Sequence, residues 1–258
     1  MRGAVCVLWL TASSAFVAVA PGKHGRIVAL FGGGEKEDVA VILLAGGVGS
    51  RMKADRPKQF LSLEGKPVLT HSLELFLGLE GIGQIVLVID EAYRGEFEGK
   101  DERLVFADPG KERQDSVRNG FSKCESAGLV CIHDAARPLV TAEAVYEVIA
   151  DAREHGAAVL GVPLKATVKE SEDGRFVLRT LDRSRLWEIQ TPQVIRPDLL
   201  AEGFVRVDAE KLLVTDDVSI VEQIGHPVKL TLGDYTNLKL TTPEDLVIAS
   251  QILDQRRS

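Results

Sequence analysis

The sequence predicts an α/β protein: one domain with a mostly parallel sheet, helices on both faces, and a protruding β-hairpin arm. Three observations carry this. Apolar runs of strand length alternate with amphipathic helices, the pattern of a sheet covered on both faces. The alternation breaks once, between Lys165 and Trp187, where two short polar β-like runs flank a turn. The first 34 residues also differ sharply in charge from all that follows.

That leader holds Arg2, Lys23 and Arg26 and no acidic residue, while the other 224 residues carry a net charge of −10. Ala4–Ala20 is apolar but short for a membrane span. Arg2 before it, and Ser13 and Ala15 near its end, fit a secretory signal. A basic, acid-free stretch follows, and Phe16 stands just after the small residues. Together they resemble the two-part presequence of proteins sent to complex algal plastids. We therefore expect residues 1–37 to be a presequence, signal plus transit-like, that delivers the rest to the plastid stroma. A plain secretory signal, or a misplaced start codon, is the alternative. The folded domain is expected over 38–258, with no membrane association once the leader is removed.

Each element has its own signal. Val39–Leu44 is an apolar strand. Val68–Leu79 has helical spacing, with Leu69, Leu73, Phe76 and Leu77 on one side. Gln84–Ile89 and Arg103–Ala107 read as the next strands, and Asp115–Cys124 as a helix with Asp115 near its positive end. Gly128–His133 is a fourth strand. Thr141–Gly156 is a helix with a Thr cap, Glu143 in its first turn and a terminal glycine. Ala157–Leu164 is a fifth strand.

The arm, about residues 164–186, pairs Thr167–Glu170 with Phe176–Thr180 around "SEDG", where Gly174 supplies the loose backbone. An isolated two-stranded ribbon is marginal in water, so the arm is expected to pack on a second subunit. Helices are then expected over Pro197–Val207 and Asp216–Gly225, a strand over Val228–Gly233, and a closing helix over Pro243–Arg257, with Pro243 at its start.

Net charge is −7 and aromatic residues make up only 5%, which argues against nucleic-acid binding. The cysteines, Cys6, Cys124 and Cys131, form no C-x-x-C or metal-like spacing and read as thiols of a reduced interior.

The chemistry begins at "VILLAGGVGSRMKADRPKQF", Val41–Phe60. A glycine loop after a buried strand lets backbone N–H groups approach phosphate oxygens. It is not a dinucleotide fingerprint, because Met52 stands where the third glycine belongs, and it lacks the G-K-[ST] of a Walker loop. Instead it carries Arg51, Lys53, Arg56 and Lys58, cations suited to a triphosphate and to charge building in a transition state. Pro57 stiffens the approach to Lys58. Asp134, ending the fourth strand, is a candidate magnesium ligand or ribose contact, or else a simple cap. Asp216, Asp217 and Asp234 are weaker candidates of the same kind, and His133 reads as a packed core histidine.

The glycine loop resembles the signature of nucleotidyltransferases. With "HDAARPLV" (His133–Val140), "GVPLKATVK" (Gly161–Lys169), "LDRSRLWEIQTPQ" (Leu181–Gln193) and "TNLKLTTPEDL" (Thr236–Leu246) in order, residues 39–256 resemble the 2-C-methyl-D-erythritol 4-phosphate cytidylyltransferase family. The resemblance implies a Rossmann-like nucleotidyltransferase domain that uses CTP and a sugar-alcohol phosphate, with Mg²⁺ or another divalent cation. It implies that Arg51 and Lys58 stabilise the transition state and that Ala45, Gly46, Gly47 and Gly49 hold the nucleotide. It sets Arg113 and Ser116 near the cytosine, Arg183 and Lys239 on the acceptor phosphate, and Arg137 and Thr167 on the acceptor. It further implies a homodimer whose site is shared through the arm. Each position has a plainer reading: Arg183 and Lys239 as solvated charges, Arg137 and Ser116 as caps. Ribitol 5-phosphate or another pentitol phosphate is the alternative acceptor, and a non-catalytic nucleotide-binding protein the alternative class.

Overall fold

The structure, a computed structural model, describes residues 15–19, 27–31, 38–47, 56–125 and 127–257. The chain divides into two units, Met1–Lys36 and Glu37–Ser258. In the first, β1 (Ala15–Val19) pairs antiparallel with β2 (Ile27–Phe31), within the segment expected as a presequence.

The second unit begins with β3 (Val39–Leu44), followed by a small hairpin of β4 (Ser62–Leu63) and β5 (Lys66–Pro67). Then come α1 (Val68–Leu77), β6 (Ile82–Val88), β7 (Leu104–Ala107), α2 (Arg113–Phe121) and β8 (Leu129–Asp134). Next are α3 (Ala142–His155), β9 (Ala157–Pro163) and the arm strands β10 (Lys169–Glu170) and β11 (Arg179–Thr180). The chain closes with β12 (Trp187–Ile195), α4 (Pro197–Glu210), α5 (Val218–Glu222), β13 (Lys229–Leu232) and α6 (Pro243–Arg257).

Seven strands form one sheet in the order β13-β9-β12-β8-β3-β6-β7, parallel except for β12, which runs antiparallel to both neighbours. Alternation along β3 sorts the core into two layers. Val39, Val41 and Leu43 pack with Leu69, Leu73 and Phe76 of α1 and with Val145, Val148 and Ile149 of α3. Ile42 faces the other way, onto Val117 of α2 and residues of α4 and α5 such as Leu200, Phe204 and Ile220. A smaller cluster seats α6, through Ala249, on Leu63, Val68, Leu139 and Leu240.

The chain runs outward from β3 to β6 and β7, then crosses to β8 on the other side of β3. That reversal makes a crevice at the carboxyl ends of β3 and β8, where open α/β sheets take ligands. Leu44 and Asp134 lie in register there.

Two expectations are corrected. The sequence marks Trp187–Ile195 only as part of a motif, yet it is a strand inserted between β8 and β9, with a bulge between Ile189 and Gln193 and a cis Thr191–Pro192 bond. The arm's ladder is shorter than predicted and holds only Lys169–Glu170 against Arg179–Thr180. Its turn matches the "SEDG" reading: Asp173 accepts from the N–H groups of Arg175 and Phe176, Ser171 Oγ accepts from Gly174 N, and Gly174 has φ of 69°.

Candidate active site

A cavity of about 270 Å³ opens at the ends of β3 and β8. One wall is backbone: Leu44, Ala45, Gly46 and Gly47 leaving β3, and Gly110 and Lys111 in the loop before α2. A Cβ on Gly46 would stand 2.5 Å from Pro109 Cβ, so the two loops can meet only at glycine. Among the described residues, nothing lies within 4 Å of a Cβ on Gly47. Ser116 ties the second loop to its helix: its hydroxyl accepts from Gly110 N at 2.9 Å and lies 3.3 Å from the Glu112 carbonyl.

The other wall is charged. Asp134 ends β8 with a side chain only 10% exposed. Lys239 Nζ donates to its Oδ2 at 2.6 Å, and Arg113 donates to its Oδ1 from Nη2 at 3.1 Å and from Nε at 3.3 Å. Burial alone would raise the Asp134 carboxyl, but Arg113 and Lys239 outweigh it and hold the group well below the usual carboxylate range. Burial would likewise weaken the Arg113 charge, and Asp217 and Asp134 more than restore it.

Lys58 enters from a short 3₁₀ turn, Lys58–Phe60, that follows Pro57. Its Nζ donates to the Leu240 carbonyl at 2.8 Å, one residue from Lys239. Gln59 is buried beside it and donates to the Ala45 carbonyl, fixing the point where the chain leaves β3.

The site therefore brings together Ala45, Gly46, Gly47, Lys58, Arg113, Ser116, Asp134 and Lys239. Gly49 and Arg51 lie outside the described residues. Arg137 sits behind the wall, 8% exposed, donating Nη1 to the Asn237 carbonyl at 2.7 Å and Nη2 to the Ile189 carbonyl at 3.3 Å. Thr167 and Arg183 are in the arm region, outside the pocket lining of their own chain. Arg183 donates to the Lys165 carbonyl at 2.8 Å.

Sequence reasoning missed the partner that braces His133 behind the wall. His133 is fully buried between Thr191 Oγ1, 3.0 Å from its Nδ1, and the Arg137 carbonyl, 3.2 Å from its Nε2. Thr191 Oγ1 also accepts from Asp134 N at 3.1 Å. One consistent proton arrangement follows: Nε2–H donates to the carbonyl and the threonine hydroxyl donates to Nδ1. Burial pushes the histidine down to about 4, so it is neutral and works as a brace. Its place as a core histidine was legible from the strand; its partner on β12 was not.

Among the described residues, no group of three or more His, Cys, Asp or Glu is gathered as a metal cage. A magnesium ion does not need one, since it takes one or two carboxylates and completes its shell with phosphate oxygens and water. The ionised Asp134 at the cavity wall fits that use.

A sequence profile of the family IspD, 2-C-methyl-D-erythritol 4-phosphate cytidylyltransferase, matches residues 39–255. The chain is 49% identical over 249 residues to the chloroplastic enzyme of that name from Oryza sativa subsp. japonica, covering 95% of this chain and 82% of the relative. It is 46% identical over 221 residues to the Geobacillus thermodenitrificans enzyme, covering 83% and 96%. Among solved structures it is similar to 2-C-methyl-D-erythritol 4-phosphate cytidylyltransferase from Thermus thermophilus (TM-score 0.71, 30% identity, 84% of this chain and 99% of that one). It is also similar to 4-diphosphocytidyl-2C-methyl-D-erythritol synthase from Anaerococcus prevotii (TM-score 0.74, 27% identity, 84% and 98%).

Proposed function

The chain belongs to the 2-C-methyl-D-erythritol 4-phosphate cytidylyltransferase family, and from that premise we propose how its own residues carry the reaction. The enzyme transfers CMP from CTP to 2-C-methyl-D-erythritol 4-phosphate. A phosphate oxygen of the acceptor bonds to the α-phosphorus of CTP, the bond from that phosphorus to the bridging oxygen breaks, and pyrophosphate leaves. The product is 4-diphosphocytidyl-2-C-methyl-D-erythritol. The attacking group is already an anion, so the protein's work is to position two polyanions and to stabilise charge at the α-phosphate.

The single observation that supports the assignment of roles is the convergence of Lys58, Arg113 and Lys239 with glycine backbone on one cavity. Ala45, Gly46, Gly47 and Gly49 offer backbone N–H groups to the triphosphate, and Arg51 and Lys58 stabilise the five-coordinate phosphorus. Arg113 and Ser116 take the cytosine side. Asp134 holds a ribose hydroxyl or the divalent cation, Mg²⁺ or a similar ion, which would neutralise triphosphate charge when bound. Lys239 and Arg183 position the acceptor phosphate, with Arg137 and Thr167 on the polyol. The Arg137 Nε and Asn237 Oδ1, both buried, have no hydrogen-bond partner among the described residues.

Thr167 and Arg183 lie away from their own pocket lining, and Phe176, Val177 and Leu178 are 78%, 61% and 56% exposed at the arm tip. Both features support a homodimer in which each arm completes the partner's site. The acid-free leader, and a relative that carries the word chloroplastic in its name, support delivery to the plastid stroma. Among the described residues no helix is long and apolar enough to cross a membrane.

The test is pyrophosphate release by the chain lacking residues 1–34, with CTP and Mg²⁺. 2-C-methyl-D-erythritol 4-phosphate and ribitol 5-phosphate are offered in parallel. The expected result is strong preference for the first. Preference for the second would move the acceptor, and release with neither would overturn the catalytic reading. A fluorescent fusion of residues 1–40 should enter the plastid; arrival at the cell surface would overturn the stromal assignment.

A further inference from the structure

Asp217 is one of the most buried carboxylates in the described chain, with a side chain 1% exposed, and it stands at the N-cap position of α5. An aspartate there normally spends its side chain on the helix's own first N–H groups. This one does not. Gln193, reaching across from β12, does the capping: its Oε1 accepts from Asp217 N and from Val218 N, both at 2.8 Å. Its Nε2 donates to Asp216 Oδ2 at 3.3 Å, which fixes the amide's orientation. The Asp217 carboxylate is thereby left to Arg113, which meets it with two parallel bonds, Nη1 to Oδ1 and Nη2 to Oδ2 at 2.8 Å. Bidentate pairing of this kind fixes the plane of a guanidinium as well as its position.

We infer that Asp217, held by Gln193, is a positioning residue for nucleotide binding: it anchors Arg113 at the pocket independently of Asp134. The inference rests on the proposed use of the cavity for CTP. Arg113 has two carboxylate partners of different kinds. Asp134 lines the cavity and is shared with Lys239, so its bonds can be exchanged with a ligand. Asp217 is absent from the lining and cannot be. With only Asp134 as partner, Arg113 would lose its place whenever that carboxylate turned to a ribose hydroxyl or a cation. With Asp217 behind it, the guanidinium keeps its plane while Asp134 changes partners.

The test is steady-state kinetics on the dimeric enzyme with CTP varied at saturating 2-C-methyl-D-erythritol 4-phosphate. Asp217→Asn should raise KM for CTP by about tenfold, the loss of one charge-assisted contact, with kcat within about twofold of wild type. In an Arg113→Met background the same change should raise KM no further, because Asp217 acts only through Arg113. An unchanged KM in Asp217→Asn, or an equal further loss in the Arg113→Met background, would overturn the inference. If Asp217→Asn does not fold, Arg113→Lys decides. A lysine keeps the charge but not the two parallel bonds, and a wild-type KM for CTP in that variant would overturn the inference. Wild-type enzyme inactive with CTP would instead overturn the reading of the cavity, so the two failures are distinguishable.

Discussion

The pocket wall and the arm treat their awkward groups in opposite ways. At the wall, four charged side chains, Arg113, Asp134, Asp217 and Lys239, are paired with one another within a single chain. In the arm, a ladder of two residue pairs carries three large apolar side chains into solvent. Among the described residues, the wall's charges are paired with one another. The arm leaves Phe176, Val177 and Leu178 exposed in its own chain. The described wall thus pairs its charges within one chain, whereas the arm leaves apolar surface that the proposed homodimer would cover.

Breaking the wall should cost the most. Asp134→Ala would take the carboxylate from Lys239 and leave Arg113 to Asp217 alone, and we expect a loss of about 1–3 kcal/mol in chemical denaturation together with loss of CMP transfer. Unchanged stability would mean that the wall is solvated rather than internally paired.

Charging the arm should come next. Phe176→Glu with Leu178→Glu should convert dimer to monomer in light scattering and cut activity by about tenfold or more, with the domain's own melting transition retained. A dimer that survived would place the contact elsewhere.

The smallest effect sharpens the wall's dependence on its brace. His133 is held neutral by burial, at about 4 against an ordinary 6.5, with Asp134 and the Arg137 carbonyl opposing the shift and the Arg137 and Arg113 charges adding to it. The unfolded chain therefore binds this proton first as pH falls. Its contribution is fully present above about pH 6.5 and lost as pH falls toward 4, amounting to about 2 kcal/mol between pH 7 and pH 5. His133→Gln should remove that part of the slope, leaving whatever His71, also lowered by burial, contributes. An unchanged slope would show that His133 is not the group responsible.

How much of this the sequence disclosed depends on distance along the chain. Strand and helix periodicity placed β3, α1, β6, α3 and α6 close to where they are, because each rests on local alternation and local caps. The glycine loop and Asp134 were legible as a site because both stand at strand ends. β12 was not legible as a strand. Pro192 falls in its middle, and proline inside a run argues for an edge or no strand at all, yet the bulge between Ile189 and Gln193 lets the chain pair on both sides. The role of Asp217 was equally hidden. "DDVSIVEQIG" reads as an ordinary helix start, and the guanidinium that Asp217 serves is 104 residues away. The role of Thr191 was hidden for the same reason, 58 residues from His133. Pairings set by tertiary topology leave no periodic trace.

The claim at the centre of this account is that one subunit's arm completes the other's site. The most direct measurement mixes two singly inactive proteins, Lys58→Ala and Arg183→Ala, under conditions that allow subunits to exchange, and follows pyrophosphate release. If the arm acts in trans, half of the dimers are mixed and each has one intact site, so activity should return to about a quarter of wild type. If Arg183 serves the pocket of its own chain, no site is ever intact in the mixture, and activity would stay at the level of the separate variants.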